Sequence, residues 1–406
     1  MSVVMRRVHK AVRYAGIYAR YAGRSLAYRS VNNKDILVVP PAGAGSLGDQ
    51  AMLQAITDHL HLMQAVAIRQ VLMPEWASFP LHGVESPRLR FSLNEVLEKS
   101  PKLISAIRNA KAVVAVGADV IDGRYGMKAV KYELGILQVA AELGVPTALL
   151  GHSISESPDP EAVALLAALP ASTAIFVRDP ISLQRFESFT GRAGTLVSDL
   201  AFLVQPDTNS RNYADAQQWA TRQKRLGNKI LCLNVNGLNA QSGLTHWRDF
   251  LEHLWQGNPN IGVLFLSHDT RPTSSDSLAH QQIVASLPAE KLERVFLAAD
   301  PESAASAKAL AALADVVLTG RMHLAIGALS LSVPTFCLAY AGKFEGLARH
   351  LDINDFFVPS DIVDNADEMA EWLLAKLPTL ETRRAALDAI LPSVKALALK
   401  NFAFPL

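Results

Sequence analysis

The stretch "ADVVLTGRMHLAIGALSLSVPTFCLAYAGKFEGLARHL" (314–351) sets Arg321 and His323 two residues apart, just after an apolar strand that ends at Thr319-Gly320. A small, apolar helix follows, "LAIGALSLS". The N-terminal end of a helix carries the positive pole of the peptide dipoles, so cationic side chains there are disfavoured unless something anionic joins them. The next strand ends at Tyr340, and Lys343 opens the following helix in the same way. Three groups therefore arrive at consecutive strand ends, where ligands of open α/β sheets bind. Arg and Lys neutralise carboxylate or phosphate oxygens. An imidazole titrates near neutral pH and can pass a proton. A lone histidine of this kind is often structural; the convergence of three groups favours function.

A second set lies in "VVPPAGAGSLGDQAMLQAI" (38–56), a strand, a small-residue loop and a helix. Gly43, Gly45 and Gly48 allow close backbone approach, and Ser46 or Asp49 can cap a helix beginning near Gln50. Free N–H groups there suit a phosphate or carboxylate. Gly43, Gly45 and Gly48 fit the bare Gly-x-Gly-x-x-Gly spacing, but the acid expected about twenty residues on is missing, as is a Walker lysine. The plainer alternative is a tight strand-to-helix turn. In "VGADVIDGRYG" (116–126), Asp119 faces either a substrate or only solvent. In "FVRDPISLQRF" (176–186), Arg178 ends a strand and Asp179-Pro180 starts a helix, with Asp179 as its cap. Arg178 suits either an anionic ligand or an ion pair with Asp199 at the end of the next strand. Asn234 and Asn236 in "NVNG", and His268 and Asp269 in "LSHDT", fall on the same edge, to bind sugar hydroxyls or a phosphate or to cap helices.

These positions follow from two runs of alternating short strands and helices. Strands are expected at 36–40, 112–117, 147–151, 174–179 and 196–199, and again at 229–237, 261–269, 294–299, 315–320 and 334–340. Such alternation gives parallel sheets covered by helices on both faces. The fold class is therefore α/β, with two Rossmann-like doubly wound domains facing a cleft. The expected division is a basic leader (1–34), a first domain (35–204), a polar linker (205–224), a second domain (225–363), and C-terminal helices (364–406) packing back across the structure.

With 406 residues, half of them hydrophobic, the chain suffices for two cores. A net charge of +1 gives a nucleic-acid partner no support. Cys232 and Cys337 lie in apolar runs, as core thiols of a reducing, cytoplasmic setting. No histidine or cysteine spacing matches a metal site. No apolar run is long enough to span a membrane, and no secretory signal is evident. The leader carries Arg6, Arg7, Lys10, Arg13, Arg20, Arg24 and Arg29 before the first acid, Asp35, with Tyr14, Ile17, Tyr18 and Tyr21 at helical spacing. It reads either as a peripheral contact with an anionic membrane face or as a solvated tail. No oligomeric state is legible.

The motifs "GSLGDQAML", "VGADVIDG", "LGHSIS", "VRDPIS", "VSDLAF", "LSHD" and above all "GRMHLAIGALSLSVPTFCLAYAGKFEGL" resemble, in order and over roughly residues 36–352, the polysaccharide pyruvyl transferases. The chain departs from them in Val116-Gly117-Ala118-Asp119, where relatives often have a glycine run, and in Pro40-Pro41. The resemblance implies a glycosyltransferase-B-like architecture. It also implies transfer of pyruvate from phosphoenolpyruvate to hydroxyls of a cell-surface polysaccharide or its lipid-linked precursor, commonly as a ketal in exopolysaccharide and cell-envelope synthesis. It places Arg321, His323 and Lys343 on the family's active-site motif, with phosphoenolpyruvate as donor substrate and no separate cofactor. His323 is then the acid/base, Arg321 and Lys343 the neutralising cations, and Arg178 a weaker candidate. The rival is a nucleotide-sugar glycosyltransferase of the same architecture, since "GSLGD" also resembles the opening loop of heptosyltransferases. A third reading is a non-catalytic member of a glycan-assembly complex.

Overall fold

A computed structural model describes residues 35–41, 45–64, 67–76, 88–210, 212–235, 243–271, 275–338, 344–353 and 355–405, without side chains for 61–64. The leader, Gly43, Asn236, Tyr340 and Lys343 lie outside these residues.

Among the described residues, seven strands form the first sheet: β1 (Asp35–Val39), β2 (Ile68–Leu72), β3 (Arg88–Arg90), β4 (Ala110–Val116), β5 (Thr147–His152), β6 (Thr173–Val177) and β7 (Thr195–Leu196), in the order β3-β2-β1-β4-β5-β6-β7. Five form the second: β8 (Lys229–Asn234), β9 (Ile261–Phe265), β10 (Val295–Leu297), β11 (Val316–Thr319) and β12 (Thr335–Cys337), in the order β10-β9-β8-β11-β12. The strand pairings within both sheets are parallel, for example Ile36 opposite Ala112 and Thr319 opposite Asn234. Central strands are buried on both faces, which is why β4 reads "AKAVVAV" without polar alternation.

Both sheets reverse strand order once, between β1 and β4 and between β8 and β11. At each reversal the chain leaves in opposite directions and opens a crevice at the strands' C-terminal ends. The loops 45–49 and 117–126 flank one crevice, and Asn234 and Arg321 the other.

Four differences from the sequence reading have physical causes. Strands β2 and β3 were not expected: β3 is only "RLR", partly exposed at the sheet edge, with too few apolar residues to register. The capping-box helix Leu93–Leu97 and the Pro-initiated helix Pro101–Arg108 also escaped that reading. The polar stretch expected as a linker contains a helix, Tyr213–Arg225, whose buried residues are Ala216, Ala220 and Gln223. A contact face made of alanine and glutamine looks like a solvated segment. The opening helix starts at Leu47 rather than near Gln50, so Ser46 is its cap, accepting from the Asp49 amide at 3.4 Å, and Asp49 lies inside the first turn.

One apolar core spans both domains. It joins Ile36, Met52 and Ile56 of the first to Ala307, Ile326 and Leu329 of the second. The terminal helix, Leu380–Leu399, returns to the first domain and adds Leu391, Val394 and Ala398 to that core. Ser198 Oγ donates to the Val394 carbonyl at 2.7 Å, Asn401 Nδ2 donates to the Ser198 carbonyl at 3.0 Å, and Phe404 packs against Phe176. Cys232 and Cys337 are buried and unpaired.

Candidate functional site

The two crevices meet. Ser46 pairs with Asp269 as an isolated antiparallel bridge, Thr270 N donates to the Gly45 carbonyl at 2.9 Å, and Leu47 N donates to the His268 carbonyl at 3.4 Å. Gly45 has φ +114°, and a β-carbon there would stand 2.2 Å from Arg271 Cγ. Gly48 faces the imidazole of His323, and its missing β-carbon would lie 2.2 Å from Nδ1. Both glycines are therefore places where a side chain of the second domain meets bare backbone of the first.

His323 lies in the first turn of the helix Met322–Leu329, with Arg321 at its N-cap. The helix buries Leu324 to Leu329, which fixes its first turn at the junction. His323 Nε2 is 3.4 Å from Asp199 Oδ2, close enough for an ion pair though not aligned as a hydrogen bond. Arg178 Nη1 binds the same carboxylate oxygen at 3.1 Å, and Arg178 Nη2 donates to Ser153 Oγ at 2.8 Å. Burial alone would raise Asp199, but the charges of His323 and Arg178 and the amide of Ala201 outweigh it and hold the carboxyl down at about 2. Asp199 is thus an anchoring carboxylate shared by one arginine and one histidine. Arg178, with a side chain only 5% exposed, adopts the ion pair with Asp199, one of the two alternatives its sequence left open.

Arg321 is held by two acids. Its Nη2 lies 2.7 Å from Asp276 Oδ1, and its Nη1 lies 3.1 Å from Asp269 Oδ2. Asp276 is fully buried and gathers the neighbouring loops. Its Oδ2 accepts from Asn234 Nδ2 at 2.9 Å, from His268 N at 2.9 Å and from Asp269 N at 3.2 Å. Asn234 also donates to the Leu266 carbonyl and accepts from Thr319 Oγ1. It is therefore the internal brace of the second crevice, engaged on every side. His268 is likewise buried, and burial drives its imidazole down to about 3, so it is neutral.

Two functional residues escaped the sequence reading. Arg271 binds Asp269 through Nε at 3.0 Å, and its side chain is about half exposed, which makes it the most accessible arginine of the group. The signal was present: Arg271 follows "LSHDT" at the same strand end. Asp276, by contrast, caps no motif, and its role depends on a partner 45 positions along the chain.

Asp49 completes the junction. Burial pushes its carboxyl up to about 6, against the pull of His323, and Asp119 pushes in the same direction as burial. The junction thus brings together a raised carboxyl, a histidine anchored on a carboxylate, and three arginines. Such a set can hold a small dianion and move protons beside it. Of the expected residues, Gly45, Ser46, Gly48, Asp49, Arg321 and His323 gather here. Arg178, Asn234 and His268 stand behind them as supports. Asp119 lies to one side, accepting from the Tyr125 hydroxyl at 3.3 Å.

The comparisons agree with this two-crevice architecture. A putative UDP-N-acetylglucosamine 2-epimerase from Listeria monocytogenes superposes with a TM-score of 0.62 at 12% identity, covering 91% of this chain and 95% of that one. The UDP-GlcNAc 2-epimerase from Neisseria meningitidis, bound to UDP-GlcNAc, gives 0.54 at 13% identity, covering 89% and 100%. A glycosyltransferase from Rickettsia africae gives 0.56 at 10% identity, covering 92% and 98%. At these identities the likeness establishes the fold. No curated protein matches significantly. The family model described as polysaccharide pyruvyl transferase matches residues 47–342.

Proposed function

Since the chain belongs to the polysaccharide pyruvyl transferases, we propose that it transfers pyruvate from phosphoenolpyruvate to two hydroxyls of a saccharide, closing a ketal. The observation that carries this reading is the junction itself: His323 between Asp199 and Gly48, with Arg321 and Arg271 beside it. Phosphoenolpyruvate carries a carboxylate and a phosphate on a three-carbon frame, and a compact anion of this kind suits several converging cations.

In the proposed sequence, His323 gives a proton to the methylene carbon, which becomes the methyl group. The former enol carbon then has oxocarbenium character, and an acceptor hydroxyl oxygen attacks it. The carbon–oxygen bond to phosphate breaks with its electron pair on the phosphate. A second hydroxyl oxygen closes the ring. The two hydroxyl protons balance the proton added to carbon and the one leaving with phosphate. Asp199, 3.4 Å from Nε2, orients His323. Asp49, raised to about 6, is a base poised near working pH for the acceptor's proton. Arg321 and Arg271 neutralise the donor, with Lys343 as a further candidate from the sequence. Arg178 supports Asp199 from behind. A cytoplasmic setting belongs to this proposal; among the described residues no helix is long and apolar enough to cross a membrane.

Calorimetry with phosphoenolpyruvate, UDP and GDP tests it. Phosphoenolpyruvate binding that weakens in Arg271→Ala and Arg321→Ala supports the reading. Arg271 is half exposed, so its variant tests binding without stripping buried Asp276 of a partner. Tight UDP or GDP binding with none of phosphoenolpyruvate would instead assign a nucleotide-sugar transferase.

A further inference from the structure

Beside the cation junction lies a cavity of about 420 Å3, within the range of small-molecule sites, roughly 300–1,000 Å3. It opens at the C-terminal ends of β4, β5 and β6, and residues from the loops after all three strands wall it. The second domain closes it with Glu345 and Gly346. A β-carbon on Gly346 would stand 2.2 Å from Asp179 Oδ1, so the two domains touch at the cavity wall.

Its charge is opposite to that of the junction. Asp119, Asp122, Glu156, Asp179 and Glu345 line it, against Arg124 and Arg185. Arg185 is already taken by Glu156 at 2.9 Å. Five carboxylates to two guanidinium groups repel a dianionic donor and equally an acidic sugar. They match a ligand dense in hydroxyl donors. Ile154 and Ile181 supply apolar surface for the C–H face of a ring, and the Ser155 hydroxyl oxygen is buried there without a hydrogen-bond partner. The cavity also shares a wall with the junction. Ser153 lines it and accepts from Arg178, whose other nitrogen holds Asp199 beside His323.

We infer that this cavity is the acceptor site, and that it takes a neutral or amino-bearing saccharide rather than an acidic one, with one end of the sugar at Ser153. The assignment of the ligand as acceptor rests on the pyruvyl-transfer reading above; the sugar preference rests on the cavity alone.

The test is saturation-transfer NMR with titration calorimetry on the full chain, using lactose, di-N-acetylchitobiose, chitobiose and digalacturonic acid. Phosphoenolpyruvate is titrated separately. At least one of the first three should bind, and more tightly than digalacturonic acid. Ser157→Trp, which adds bulk at an exposed position on the rim, and Glu345→Gln, which removes one charge-assisted hydrogen bond, should each weaken it about tenfold. Phosphoenolpyruvate affinity should not change in either variant. Binding of none of the four sugars, a preference for digalacturonic acid, or wild-type sugar affinity in both variants would overturn the inference. Sugar binding as expected without phosphoenolpyruvate binding would leave the sugar site standing and remove the donor reading.

Discussion

The interface between the two domains buries cations in two places and treats them differently. At the strand ends, Arg178, Arg321 and His323 each meet a carboxylate. Deeper in the same interface, Lys308 of the helix Ala304–Ala311 is also buried, but among the described residues its ammonium donates to the carbonyl of Val204 rather than to a carboxylate. Burial, with Lys395 nearby, pushes Lys308 down to about 7, so it is half discharged near neutral pH. The two places thus differ in what faces the cation: built-in carboxylates at the strand ends, and a single neutral carbonyl at Lys308. At the junction the acids are built in beside the cations and hold them in place, as the proposed binding of a dianion would require.

Four experiments can break or sharpen that contrast. Asp199→Asn should have the largest effect, because it strands buried Arg178: a loss of about 3–5 kcal/mol in urea unfolding. A loss under about 1 kcal/mol would put the pair with ordinary surface bridges and end the contrast. Gly48→Ala should next cost about a hundredfold in kcat/KM through displacement of the imidazole, with circular dichroism unchanged. Lys308→Met should do the opposite of Asp199→Asn and stabilise the protein by roughly 1–4 kcal/mol at neutral pH. Between pH about 7 and about 10.5 the unfolded wild-type chain holds a proton that the folded chain has released. Wild-type stability should therefore rise with pH across that window, and the variant should lose this slope. The smallest effect is at Asp49. The base form is lost as pH falls through about 6, so kcat/KM should drop by about tenfold per unit below that point. In Asp49→Asn that limb should vanish from whatever activity remains.

What the sequence disclosed divides along similar lines. Arg321, His323 and the Gly45–Asp49 loop were legible because each sits at a strand end within a few residues of its own helix, and periodicity alone locates such places. Asp276, which holds Arg321, was not legible, because only the fold brings together residues so far apart in the chain. The ion pair of Arg178 and Asp199 was legible as one of two alternatives, since both end neighbouring strands. The carboxylate cavity was invisible for the reason given for Asp276: its walls come from three loops and a helix of the other domain. Asp119 looked like a mixed-charge turn, and only the fold sets it in a cavity wall with four other carboxylates.

The return of the last helix to the first domain has a mechanical consequence. The chain passes between the domains once after Leu203 and again on its way into Leu380–Leu399, whose far end is fastened at Ser198 and Phe176. A joint crossed twice bends readily about the line through its two crossings and resists torsion about any other. Opening of the cleft should therefore swing Glu345 away from Asp179 and His323 away from Gly48 in a single motion. The cation junction and the carboxylate cavity would then be exposed, or shut from water, together.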